Sequence, residues 1–409
     1  MSESLRPVKI FRPAAVTALV AGLLAGTVAP GAAAADSRTA APNAAAGQDR
    51  PELQKAIQAF VDAGFAGVQV RVNDERGEWV GSAGVRRLGS PAKPPTNGLF
   101  RLGSSTKPFT ATLVLQLVAE GRIKLDAPVA DYLPQDRLDR RITARMLLQH
   151  TSGVYNYTGE LDPDGTFVPG LIAPGRDLVE KRLRSYRQED LVRFAFSKPA
   201  RFEPGTGWGY SNTNYTLAQL LIEKVTGRSY AEEMRRRILR PLGLKHTVPP
   251  STRTGIPGPH ARGYYRYEDA GQWKVVDVTR QNPTYLGAAG GMISTSEDLH
   301  RFFSALNSGK LLPAKLLTEM RRPHPKSGAL GYGLGVSVQD LGPNCGTVLH
   351  HNGNALAGYA SIMYSTPDGK KTLTGSITMG DAAIEPSQAY VKPHEKLLKE
   401  VFCGGQGAS

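Results

Sequence analysis

Gly103-Ser104-Ser105-Thr106-Lys107, followed by Phe109, Leu113, Val114, Leu117 and Val118, reads as a glycine turn feeding a long apolar helix. On a helix, Ser104 and Lys107 share one face about a turn apart, which sets an amine beside a hydroxyl. A serine hydroxyl is a weak nucleophile until an adjacent base activates it. The helix start also aims unpaired N–H groups and a positive dipole at the serine. A second S-x-x-K, Ser90-Pro91-Ala92-Lys93, carries prolines at 91, 94 and 95 that forbid a stable helix, and it reads as a loop.

Acyl transfer also needs a proton donor for the departing atom and N–H donors for an oxyanion. Tyr210-Ser211-Asn212 follows the loop Pro204-Gly205-Thr206-Gly207 and precedes a helix, so Tyr210 and Asn212 can project from a turn into a cleft. A phenol near a lysine can serve as base and then acid, and an amide can hold the lysine and a substrate carbonyl together. His351-Asn352-Gly353, with Asn354, ends one β-type run and leads to another. Gly353 would allow a ligand close to the backbone, and His351 would place a donor, cationic at lower pH, opposite the serine. His350 should face the other way on a strand, so the two histidines make no metal pair. Taken singly, these segments also fit a buried aromatic beside a capping asparagine and an ordinary Asn-Gly turn.

The fold class expected is α+β. Pro51 opens an amphipathic helix through Leu53, Ile57, Phe60 and Val61, and strands follow at 67–72 and 78–83. From Ser104 to about Leu312 the pattern is helical with long loops, including helices over 189–196, 214–225, 230–239 and 297–307. A capping box from Ser294 to Glu297 opens the last of these. Strands are expected at 332–338, 347–351, 359–365 and 372–378, and a helix at 386–402. The simplest assembly is one antiparallel sheet flanked by N- and C-terminal helices, plus a large mainly helical lobe. The sheet lobe would take about 51–100 and 325–404, the helical lobe about 101–324, and 405–409 a tail. The serine then lies at the junction, where small-ligand sites are common.

Arg6, Lys9 and Arg12 before the apolar stretch Ala14–Ala29, with Ala33 and Ala35 ahead of Asp36, read as a signal peptide over 1–35, cut near Ala35. Residues 36–50 form an Ala-rich leader. No later apolar run reaches the roughly 18 residues of a membrane span, so an exported, soluble monomer is expected, with no integral membrane contact. Net charge is +14, and its clusters lie at helical spacing, as solvated helix faces do. No nucleic-acid-binding signature accompanies it, and neither metal nor organic cofactor is implied. Cys345 and Cys403, the only cysteines, are expected to pair in an exported chain, pinning the last helix to the sheet.

S-x-x-K, Y-x-N and H-x-G in this order resemble the active-site-serine penicillin-recognising enzymes, and among them the class C β-lactamase relatives. The likeness runs from about residue 52 to 404 and is nearest to secreted D-alanyl-D-alanine carboxypeptidases. It includes Leu148-Gln149-His150-Thr151-Ser152-Gly153, Pro241-Leu242-Gly243-Leu244 and Gly331-Tyr332-Gly333-Leu334-Gly335. It implies a β-lactamase/transpeptidase-like fold and a Ser104 ester formed on a peptidoglycan stem peptide or another small acyl substrate, with β-lactams as covalent ligands. Lys107 and Tyr210 would share the proton transfers, either serving as the acylation base. Asn212 would position substrate, and the N–H groups of Ser104 and Asn354 would hold the oxyanion.

Two departures bear on substrate. Similar carboxypeptidases carry an arginine after Gly-Tyr-Gly-Leu-Gly that pairs with a terminal carboxylate. This chain has Val336-Ser337-Val338-Gln339 there, and no arginine after Arg322. Asn354 stands where threonine is usual. Lys326 or His351 could supply the charge instead. A DD-peptidase is the leading expectation. An esterase, D-amino-acid amidase or β-lactamase on the same scaffold, or a silent penicillin- or peptide-binding protein, are the alternatives.

Overall fold

A computed structural model describes residues 49–133, 138–161 and 166–404. The proposed signal peptide, nearly all of the leader and the tail lie outside the described residues. Strands β1 (Gly67–Asp74) and β2 (Gly77–Gly84) form a hairpin. Near the other end of the chain come β3 (Ser337–Asp340), β4 (Thr347–His350), β5 (Gly353–Asn354), β6 (Tyr359–Ser365) and β7 (Thr372–Thr378). They join in one antiparallel sheet of order β2-β1-β7-β6-β4-β3, with β5 also pairing on β6. The α+β expectation therefore holds, with the first and last strands of the sequence meeting at β1–β7.

Alternation along these strands sorts side chains between two layers. Val68, Val70, Val72, Ile362 and Tyr364 pack with Leu53, Ile57 and Phe60 of helix α1 (Pro51–Asp62). Leu397, Val401 and Phe402, on the C-terminal helix, complete that layer. Tyr359 and Met363, pointing the other way, join the core of the helical lobe. That lobe is built around α2 (Lys107–Ala119), α3 (Asn212–Thr226) and α4 (Ser296–Asn307). Phe109 of α2 stacks on Phe302 of α4 at 3.5 Å. The C-terminal helix is α5 (Pro386–Phe402). Cys403 at its end is bonded to Cys345, the expected disulfide.

The structure revises several local expectations. Helix α4 is capped by Thr295, whose hydroxyl accepts from Asp298 N–H, because Ser294 is drawn to Thr247 Oγ1 at 2.8 Å. The expected helix 230–239 is α-helical only over Tyr230–Met234 and widens to π over Arg235–Leu239. The stretch 332–338 is a strand only from Ser337. Gly331 (φ +54°) has Val338 O 2.2 Å from where a Cβ would stand, so the chain folds back on itself there. The helical lobe also holds a hairpin, Tyr264–Asp269 with Gln272–Asp277, turning through Ala270 and Gly271, both at positive φ.

Candidate active site

Ser104 sits in a 3-10 turn, Gly103–Thr106, that runs straight into α2. The turn is riveted to the sheet. Ser105 Oγ donates to His351 O (2.7 Å) and meets Ser361 Oγ (2.8 Å), while Ser361 Oγ also donates to Leu102 O (2.6 Å). Just upstream, the buried Arg101 guanidinium bonds the carbonyls of Thr254 and Thr279. Burial pulls its pKa down to about 10, which leaves it cationic at neutral pH. These ties hold the serine at a helix N-terminus against β5.

Lys107 is fully buried below the half-buried Ser104. Its Nζ stands 3.2 Å from Ser104 Oγ, 2.7 Å from Asn212 Oδ1 and 2.8 Å from Ala289 O. No carboxylate pairs with it among the described residues, and burial holds its pKa well below the usual lysine range. The rings of Tyr210 and Tyr215 flank it at 4.7 and 5.3 Å. An amine so placed has three partners, of which only Ser104 can both donate and accept.

Tyr210 O–H donates to Ser104 Oγ at 2.8 Å, from the loop that leads into α3. Burial pushes the phenol pKa up, so the proton stays on the oxygen. Asn212, the first residue of α3, gives its carbonyl to Lys107 and one amide hydrogen to Thr158 Oγ1 (2.9 Å). Its second amide hydrogen is available to a substrate. The structure thus brings Ser104, Lys107, Tyr210 and Asn212 together.

His150, a residue that the sequence motifs alone give no role, braces this cluster. It ends the helix Ala144–Gln149 in the left-handed conformation (φ +66°), an arrangement most non-glycine residues avoid. Its Nδ1 accepts from Ser211 N–H (3.3 Å), which places the ring proton on Nε2, and its ring lies 4.3 Å from that of Tyr210. Burial holds its pKa well below the usual histidine range, so the ring is neutral. A buried histidine next to Thr-Ser-Gly is the sequence signal that could have flagged it.

The third segment behaves differently from expectation. His351 is buried; its Nδ1–H donates to Asn352 O (2.8 Å) and its Nε2 accepts from Tyr332 O–H (3.0 Å). Desolvation takes its pKa down to about 3, so it is neither cationic nor free to donate to a ligand. Asn352 points to the opposite face, where its Nδ2 donates to Tyr364 O–H (2.7 Å), away from Ser104. At Gly353 the close approach is to the protein itself: a Cβ would stand 1.9 Å from Leu102 O and 2.7 Å from Ser104 N. Gly103 is fitted likewise, with Asn354 O 2.2 Å from its absent Cβ.

Asn354 ends β5. The N–H groups of His351 and Ala355 bond across to β6, at Met363 and Tyr359. Antiparallel alternation turns the Asn354 N–H away from that strand, toward the serine turn packed on the other side. That puts it on the side of β5 that faces the Ser104 turn, where an oxyanion would need a second N–H donor. The other candidate for a carboxylate-binding charge, Lys326, is exposed and bonded to Thr206 O. Among the described residues, every cation whose position was a candidate for gripping a terminal carboxylate is therefore either neutral or already engaged.

Comparison with known proteins agrees with this geometry. The Beta-lactamase family model matches residues 53–378. A D-stereospecific amidohydrolase from Streptomyces sp. shares 38% identity, with a TM-score of 0.75, over 87% of this chain and 99% of that one. A D-amino acid amidase from Ochrobactrum anthropi shares 26% identity (TM-score 0.69) over 85% of this chain and 97% of its own. Penicillin-binding protein 4* of Bacillus subtilis is 29% identical over 314 residues, 74% of this chain and 65% of that protein, so the match spans less than two thirds of that relative. The chain belongs to the Beta-lactamase family, the transpeptidase-like serine-acylating enzymes related to penicillin-binding proteins and D-amino acid amidases.

Proposed function

We propose that the protein is an exported serine amidohydrolase that cleaves an amide or peptide bond on the carbonyl side of a D-amino acid residue. The observation that carries the reading is that, among the described residues, neither group the sequence put forward for a terminal carboxylate offers a free charge at the serine: His351 is neutral, and Lys326 is exposed and bonded to Thr206 O. A leaving group recognised through a free carboxylate, as in a DD-carboxypeptidase, would find no fixed partner there. An amide, or a substrate extended beyond the scissile bond, needs none. The likeness to a D-stereospecific amidohydrolase points the same way. Export is supported by the basic, apolar and small-residue order of the first 35 residues, and by the disulfide.

In this reading Lys107 is neutral. Its two N–H groups donate to Asn212 Oδ1 and Ala289 O, and its lone pair accepts the Ser104 proton as Oγ attacks the carbonyl carbon. The new C–O bond leaves an oxyanion between the Ser104 and Asn354 N–H groups. As the C–N bond breaks, Tyr210 delivers its proton to the departing nitrogen, and the phenolate is balanced by the Lys107 ammonium beside its ring. The proton passing back from Lys107 restores the phenol. Water then cleaves the Ser104 ester.

Amide release from D- and L-amino acid amides should be measured beside D-Ala release from an acylated Lys-D-Ala-D-Ala peptide, ester and cephalosporin hydrolysis, and covalent labelling by a tagged penicillin. We expect D-amide turnover and a Ser104 adduct, both lost in Ser104→Ala. Efficient cleavage of the free-carboxylate peptide with no amide turnover would instead establish the DD-carboxypeptidase reading. Labelling without any turnover would mark a binding protein.

A further inference from the structure

Away from the serine, four segments meet around two adjoining clefts of about 310 and 280 Å³. Arg86, Arg87, His260 and Arg262 line the first; Arg182, His260, Arg262 and Arg280 line the second. Five guanidiniums thus face a single carboxylate, Asp277, already paired with Arg262 at 2.9 Å. Among the described residues no carboxylate pairs with Arg86, Arg87, Arg182 or Arg280. Elsewhere arginines are commonly matched: Arg50, Arg71, Arg145, Arg176, Arg201 and Arg237 all hold carboxylates. Like charges left together without counter-charges oppose folding, so their concentration at one place needs a use.

The clefts are framed by main chain. Arg262 N–H donates to Arg86 O (2.7 Å), Asn282 N–H to Arg182 O (2.7 Å) and Leu99 N–H to Pro259 O (2.9 Å). Arg182 Nε is buried without a partner, and His260 spends Nδ1–H on Gly258 O (2.6 Å), leaving Nε2 uncommitted. The second cleft also adjoins the catalytic strand: Gln281, next to Arg280, donates to Ala357 O (2.6 Å), three residues beyond Asn354.

We propose that these clefts bind a flexible, base-free polyanion of linked phosphate groups, laid across His260 and Arg262 from Arg86–Arg87 to Arg182–Arg280. Guanidinium forks match phosphate oxygens bidentately. Four unneutralised charges over two linked clefts suit several singly charged groups in a chain better than one ion. Such a polymer would hold the enzyme close to its substrate without touching Ser104.

The test is binding of the full protein to short-chain inorganic polyphosphate, by calorimetry at several salt concentrations. Orthophosphate, single-stranded DNA and anionic phospholipid vesicles are the comparison probes. The variant R86Q/R87Q/R280Q should lose at least tenfold in polyphosphate affinity and show a shallower salt dependence, by roughly 0.7 per charge removed. Turnover of a small ester should stay within twofold. The variant R235Q/R240Q/K245Q, with the same charge change on exposed positions elsewhere, should bind as wild type does. Equal loss in both variants would overturn the proposal in favour of diffuse attraction. It would equally be overturned by absent polyphosphate binding, by saturation with one orthophosphate of equal affinity, or by tighter binding of DNA or vesicles at the same arginines.

Discussion

Lowering the pH from 7.5 to 5 should cost this protein much of its stability, because four buried histidines are held neutral in the fold. His350 stacks on Tyr364 (4.8 Å), His394 lies between Tyr390 (4.6 Å) and Tyr364 (5.4 Å), and His150 and His351 stand under the active site. Desolvation holds His350 to about 4 and His351 and His394 to about 3, with His150 also well below the ordinary value. Each folded pKa lies below the unfolded one, near 6.5. The unfolded chain therefore binds the extra protons, and stability is fully present only above that value. It falls as pH drops through 6.5, by about 1.4 kcal/mol per pH unit for each histidine, and levels off only at the folded pKa values. At pH 5 His350, His351 and His394 have each cost about 2 kcal/mol, so these three together remove about 6 kcal/mol, with His150 acting in the same direction, against a typical total of about 5–15.

Urea unfolding followed by tryptophan fluorescence at pH 7.5, 6 and 5 measures this directly. The window lies above the usual carboxylate range, so salt-bridged Asp and Glu residues contribute little to the slope. His394→Phe adds a control. Nε2 of His394 has no partner, so a ring without nitrogens loses no hydrogen bond there. The variant should show a slope smaller by one proton and gain about 2 kcal/mol on the wild type at pH 5. Stability unchanged to within about 1 kcal/mol across the window, or an unaltered slope in His394→Phe, would refute the reasoning.

Tyr210→Phe keeps the ring packed on His150 but removes the donor on Ser104 Oγ; kcat/KM for amides should fall by about 10²–10⁴ with an unchanged melting temperature. Gly353→Ala puts a methyl against Ser104 N and Leu102 O; acylation by a labelled penicillin, followed by stopped-flow, should slow by at least about 10². Cys345→Ser/Cys403→Ser opens a 58-residue loop and should cost roughly 4 kcal/mol in urea unfolding, with the acylation rate of the folded protein unchanged.

Period and punctuation made much of the scaffold legible. Tyr359–Ser365 and Thr372–Thr378 are strands with the bounds expected, because alternating β-formers there are cut cleanly by Pro367-Asp368-Gly369. The meeting of Ser104, Lys107, Tyr210 and Asn212 is legible because each presents its own side chain next to a turn or helix start. The third segment was read less well, since its roles depend on what packs against it. Nothing local says that Asn352 will face Tyr364, or that His351 will lose its charge between Tyr332 and its neighbour's carbonyl. Tyr332 reads as a strand residue by composition, yet the left-handed turn at Gly331 swings its ring into the site. Ala289, which contributes only a carbonyl, leaves no mark on the side-chain pattern at all.

In the proposed mechanism the choice of base, open on sequence alone, rests on where the fold buries two groups. Lys107 and Tyr210 both contact the same serine oxygen, at 3.2 and 2.8 Å, the lysine fully buried and the tyrosine half-buried. Shielding penalises charge in either group, but it works in opposite senses: it lowers the amine pKa, favouring loss of a proton, and raises the phenol pKa, favouring its retention. One low-dielectric pocket therefore yields a proton acceptor and a proton donor side by side, with no carboxylate needed to tune either. A phenolate base would need the Lys107 ammonium as a standing counter-charge, and desolvation works against both members of that pair. The same burial explains why Asn212 and Ala289, both neutral acceptors, surround Nζ: a carboxylate in either place would hold the ammonium charged and leave Ser104 without a base.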